Sequence, residues 1–292
     1  MKKTLFFSIC ALCWASAAFA ADTTTPLTVS SGFNIDAIAA SPNEVPTVVG
    51  PIDGHGSQFI MNNYPGLTGS LSEGVPADGK LTTTGGHAYQ LGNYLSNNCF
   101  YIGITATNSS TLGTPTSGTV AFSNPTAGNK LGILMAGTNR DAKDLMFNLK
   151  VTYQNGTTSD LGSFKVSDWG QNNEQDAVFT FTKRYRADAS SNPESGTFYM
   201  SEVIATLDNT TSPVASVTIT TECQNDNWGY GSLAFYAFST ISTTATGIDN
   251  VSAQKAEVKG IYSIDGKLLS APAKGVNVMK YTDGTSRKVV IK

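Results

Sequence analysis

The chain has 292 residues, with 19 Lys and Arg against 22 Asp and Glu, a formal net charge of −3 and only 14% charged residues. No basic block and no aromatic–basic patch occurs, so nucleic acid is not expected as a partner. Thr, Ser, Asn and Gly are abundant instead, which suits β-rich extracellular domains with neutral polar surfaces, and the length allows one large domain plus a small one.

Lys2 and Lys3 precede an apolar run over residues 5–19, and Ala18-Phe19-Ala20 gives a small-x-small cleavage pattern before Ala21. This predicts a secretory signal peptide over residues 1–20, because the run is too short for a membrane anchor. No later apolar run approaches the ~20 residues that span a bilayer, so an integral membrane protein is not expected. The expected location is secreted or at the cell surface. Loss of the leader takes the basic count to 17 against 22 acidic residues, a net charge of −5. Cys10 and Cys13 leave with it, and Cys99 and Cys223 remain. An oxidising compartment permits a disulfide between them. Two buried thiols fit the sequence equally, since a bridge depends on a Cα separation that spacing does not supply.

Residues 21–26 read as a polar leader without structure. Short strand-like runs follow at 33–39, 58–61, 87–91, 100–104, 119–122 and 131–135, separated by Gly, Pro, Asn and Ser clusters. Residues 144–169 then read as one hairpin. Phe147, Leu149, Val151 and Tyr153 alternate with Met146, Asn148, Lys150 and Thr152, Asn155-Gly156 supplies the turn, and Leu161, Phe164 and Val166 return. Further runs lie at 177–185, 198–207, 217–221 and 233–238. No window carries an apolar pattern at helical period. Many short strands with frequent turn signals predict an all-β sandwich, and the long connections 62–86 and 105–118 favour a jelly roll over an up-and-down barrel. The expected division is a β-sandwich over residues 21–239, a small-residue linker over 240–250 and a small antiparallel β module over 251–292.

The stretches Tyr153-Gln-Asn-Gly-Thr-Thr158 and Val166-Ser-Asp-Trp169, with the closing run over 199–239, resemble the galactose-binding-like jelly-roll domains found in many carbohydrate-binding modules. The resemblance lies in strand order and implies a fold, not a ligand. The C-terminal module has turns at Asp265-Gly266 and Asp283-Gly284. It resembles the C-terminal sorting domains of type IX secretion cargo. The shared features are Ile261, Tyr262 and Gly266 in a strand and turn, Lys274-Gly275-Val276 as a restart, and a basic–hydrophobic end from Lys288 to Lys292. That resemblance implies the outer-membrane secretion machinery as a partner. Residues 240–259 lack the Tyr-Pro-Asn-Pro stretch of the family's longer members.

Catalytic material is sparse. His55 and His87 are the only histidines, both flanked by glycine as in solvated turns, and neither Gly-x-Ser-x-Gly nor His-Glu-x-x-His occurs. Paired carboxylates of the glycosidase kind would have to come from Asp168, Glu174 and Asp176, or from Glu194 and Glu202. Sugar binding has better material, since it combines an apolar face with oriented amides and carboxylates. Two loops have that makeup: Trp169 with Asn172, Asn173 and Glu174, and Trp228 with Asp226, Asn227 and Tyr230. In the alternative, each Trp is a plug under its loop; Tyr64 and Tyr94 are weaker candidates. No cofactor is expected. A structural Ca²⁺ would draw on Asp53, Asp78 or Asp226, none in an EF-hand spacing. The sequence thus predicts a non-catalytic binding protein for a glycan or cell-surface component. A structural or adhesive surface protein and a glycoside hydrolase are the alternatives.

Overall fold

The computed structural model describes residues 22–41, 52, 56–103, 116–138, 145–170, 176–187, 189, 191–222, 232–243, 257–282 and 284–291. The predicted signal peptide therefore lies outside the described residues. Strands β1 to β8 are Asp22–Leu27, Val29–Ser31, Ile38–Ala39, Ser57–Ile60, Lys80–Thr82, Ala88–Gln90, Phe100–Gly103 and Ser117–Thr126. Strands β9 to β15 are Lys130–Thr138, Leu145–Tyr153, Thr158–Val166, Ala177–Arg186, Glu194–Thr206, Val214–Glu222 and Ser232–Thr243. Strands β16 to β19 are Val258–Ser263, Leu268–Leu269, Gly275–Tyr281 and Ser286–Ile291. No helix occurs among the described residues. The chain divides into a unit Ala20–Thr244 and a second unit containing Ala245–Lys292.

The large unit is a ribbon rolled up from one hairpin. On β10, Phe147, Leu149, Val151 and Tyr153 are all buried while Asn148 and Lys150 are exposed, because successive strand side chains take opposite faces. The turn closes with Gly156 N donating to Tyr153 O at 2.9 Å, and Gly156 alone takes a positive φ of 83°. Outward from this tip the pairings nest: β10 with β11, β9 with β13, β8 with β14 and β1 with β15, all antiparallel. Folding the ribbon over brings β9 beside β15 and β10 beside β14. The result is two sheets, β1-β15-β9-β13-β12-β4-β3 and β11-β10-β14-β8-β2, which is the strand order of a jelly roll. Strand β7 pairs with the first half of β15, and β3 with β4 is parallel.

The core between the sheets takes Ile133, Met135, Phe235 and Phe238 from one side and Phe147, Leu149, Val217 and Ile219 from the other. The first sheet is buried on its second face as well. Leu134, Ala136, Met200, Phe181 and Tyr236 point away from the sandwich into a separate core with Phe59, Val75, Tyr89 and Trp169. The described residues between Ile35 and Cys99 supply that covering layer, including the hairpin β5–β6. The long connection over 62–86 thus roofs a sheet face that would otherwise be wet.

Two expected boundaries move. Residues 22–26 are not an unstructured leader: Asp22 to Leu27 pair with Thr243 to Phe238, since backbone pairing with β15 needs no apolar side chain. The linker expected from residue 240 begins later, because β15 runs to Thr243 with Thr240 and Ile241 buried. Its β-branched residues suit a packed strand.

The second unit is a sheet of order β17-β16-β18-β19. No apolar side chain of its described residues is fully buried, and Asn277 is its one buried residue. Asn277 Nδ2 donates to Ala273 O, and its Oδ1 accepts from Ala273 N at 3.0 Å, which fixes the restart before β18.

Candidate functional site

Trp169 is not an open platform for a sugar. It is 3% exposed, with its ring 5.2 Å edge-on from Phe59 and 5.0 Å from Phe198. Its N–H donates to Gly137 O at 2.8 Å and its carbonyl accepts from Tyr199 N at 2.7 Å, so the chain arriving from β11 is tied across to the first sheet. The Arg184 guanidinium lies 4.8 Å from the Phe198 ring centroid and 5.8 Å from that of Trp169. Trp169 packs into the second core, which is the plug arrangement. Asn172, Asn173, Glu174, Asp226, Asn227, Trp228 and Tyr230 lie outside the described residues, as do His55, Asp53, Cys223 and Lys292. Cys99 is a buried free thiol, and desolvation pushes its ionisation well up.

The candidate carboxylates Glu194, Asp176, Asp168 and Asp78 carry structural bonds. Glu194 accepts from Arg184 Nε at 2.6 Å and lies 3.7 Å from Arg186. Asp176 accepts from Ser167 N at 2.9 Å, and Asp168 from Gly170 N at 2.8 Å. Asp78 Oδ1 accepts from Lys80 N at 3.1 Å, and no group of three His, Cys, Asp or Glu that could hold a metal occurs among the described residues.

His87 departs from the solvated-turn expectation. Its side chain is 13% exposed, with Nδ1 2.9 Å from Glu202 Oε1 and Nε2 3.6 Å from Asp22 Oδ2. Tyr89 Oη donates to the same Glu202 oxygen at 2.6 Å, and Lys130 Nζ is 3.5 Å from Asp22. Burial, then the bond to Glu202, pushes the Tyr89 phenol far up. The Asp22 carboxyl is held below its usual range, first by a bond from Thr243, then by Lys130 and His87. The carboxylates sit on opposite ends of the imidazole, so the cluster is a clasp across β1, β9 and β13, not a convergent site. No local signal could have found it, since Glu202 is 115 residues from His87.

A cleft of about 470 Å³ lies in the covering layer, where the ends of β3 and β4 meet the base of the β5–β6 hairpin. Met61, Leu91 and Leu95 give it an aliphatic wall, and Leu95 is 76% exposed. Tyr94 closes it with a ring whose hydroxyl donates to Pro76 O at 2.7 Å. Asp78, Gln90 and Asn93 are exposed at its rim. Gln90 Nε2 turns inward to Asp78 O at 3.0 Å and Leu91 O at 3.2 Å, which leaves Oε1 outward. Gly79 makes this fit necessary: its φ is +69°, and a Cβ there would come within 2.6 Å of Gln90 Nε2. Asn93 Oδ1 accepts from Leu95 N at 3.0 Å, which leaves its Nδ2 hydrogens available. Asp78 and Tyr94 were visible in the sequence only as isolated candidates. Hairpin pairing and the turn over residues 92–95 bring them to one cleft.

Comparison of the chain with protein-family models and with curated proteins returns no match.

Proposed function

We propose that the chain is a secreted or cell-surface protein that binds glycans without transforming them, through the cleft walled by Met61, Leu91 and Leu95 and rimmed by Asp78, Gln90 and Asn93. The observation that carries this reading is the pairing of an aliphatic wall, exposed at Leu95 and partly at Met61, with three rim groups that have unused hydrogen-bonding capacity. Sugar rings present C–H faces to apolar surface and hydroxyls to oriented polar atoms, which is what such a rim accommodates. The jelly-roll strand order supports the galactose-binding-like resemblance. The two-sided C-terminal sheet, with Ile261, Tyr262, Gly266 and Gly275 in its strands and turns and Lys274 and Lys288 exposed, supports export through a type IX-like sorting module. Deleting residues 251–292 would then strand the protein in the periplasm, as cell fractionation reads.

Affinity electrophoresis against soluble polysaccharides tests the binding reading. Gln90→Ala and Leu95→Ala should each weaken retardation roughly three- to tenfold, the scale of one net hydrogen bond or one apolar contact. A structural or adhesive role is the second reading, and the burial of Trp169 favours it. Absence of retardation by every polysaccharide would transfer the assignment there.

A further inference from the structure

We infer that the cleft takes uncharged, hydroxyl-rich sugar chains and turns acidic ones away; the inference rests on the glycan-binding reading and adds the chemical class of the ligand. None of the described residues lining the cleft is Lys, Arg or His. Lys80 is not one of the described lining residues, and its backbone N–H holds Asp78 Oδ1. A uronate or sulfate group binds through charge-assisted donors, usually a guanidinium or ammonium, and would find none among the described lining residues. It would instead meet the Asp78 carboxylate, a like charge on the rim.

The unused capacity of the rim has a definite sense. Asp78 Oδ2 and Gln90 Oε1 are acceptors without a partner among the described residues, and Asn93 Nδ2 is the matching donor. Two acceptors to one donor call for a ligand that mostly donates. A sugar hydroxyl does so and can also accept from Asn93, whereas an anionic substituent offers only acceptors. An apolar ligand would cover Met61, Leu91 and Leu95 but leave the rim acceptors dry, which costs binding. Neutral polysaccharide satisfies wall and rim together.

The test runs the whole secreted protein in gels containing a neutral β-glucan or galactomannan and in matched gels containing polygalacturonate or alginate. Wild type is compared with Gln90→Ala, Asp78→Asn and Asp78→Lys, and near-ultraviolet circular dichroism checks that each variant is folded. The expected result is retardation by at least one neutral chain and none by the acidic ones. Gln90→Ala should weaken the neutral contact roughly three- to tenfold. Asp78→Asn should leave it within about threefold, and Asp78→Lys should admit an acidic chain. Retardation of wild type by an acidic chain, lost in Gln90→Ala, would overturn the inference and leave the glycan reading intact. Neutral retardation untouched by Gln90→Ala would overturn the cleft as the site. No retardation by any chain would remove the glycan reading itself.

Discussion

Gly132 shows how much one missing side chain can fix. A Cβ at this position of β9 would run into Tyr89 Oη, the group that donates to Glu202. Gly132→Ala should therefore destabilise the protein by about 1–3 kcal/mol, the usual cost of overfilling a packed site. The same change in a Tyr89→Phe background should cost less, because the remaining neighbours are about 3.1–3.2 Å away; urea unfolding of the cycle measures the coupling. Acid stability follows from the same clasp. The Asp22 carboxyl titrates below its unfolded value, so its contribution is present above the ordinary carboxylate range and is lost as pH falls through the folded value. Melting temperature should drop as pH falls below that range, and Asp22→Asn should flatten this acid limb. His87 was legible only as a turn residue, because its carboxylate partners arrive on β1 and β13 from opposite ends of the chain.

Three hairpins share one turn. In each, a glycine N–H donates back three residues: Gly156 to Tyr153, Gly266 to Ser263 and Gly284 to Tyr281, at 2.9, 3.0 and 3.1 Å. The three glycines have φ between 83° and 85° and open space where a Cβ would go. Only backbone strain then opposes a side chain. Gly156→Ala should cost about 1–2 kcal/mol and Gly156→Asn less, since asparagine tolerates this conformation; chemical denaturation separates the two. Burial dominates in the strand beside it, so Phe147→Ala should cost about 3–5 kcal/mol in the same assay. These turns and the alternation on β10 were legible because both are local. The phase of β15 was not. A register shift between Phe235 and Ala237 moves the core side of that strand from odd to even positions, Phe235 to Phe238. Strand β1 was hidden for another reason: Thr23 meets Ser242 across 219 residues, and a Thr-rich segment carries no sign of a partner so remote.

At the scale of the molecule, the two units differ in how much they bury. The large one has a core on each face of its first sheet, and the described residues of the small one have no fully buried apolar side chain. Amide exchange should be slow in β9, β10 and β15 and faster by orders of magnitude over residues 257–291, as mass spectrometry of deuterated peptides reads. The sequence carried the all-β class and the roll, since both follow from strand count and connection length. It did not carry the covering layer, whose apolar residues are scattered among turns and show no period. The rolled ribbon also bears on how the protein is made. Its outermost pair joins the first strand of the unit to the last, so a nascent chain that stops short of Ser232 holds β1 and β9 with no central strand between them. The sheet closes only once synthesis has nearly finished, and contacts of such long reach form slowly, in roughly milliseconds to seconds. During that interval two open strand edges stand exposed to any neighbouring chain. A chaperone that shields the growing chain until β15 emerges would protect this protein more than one that acts after release.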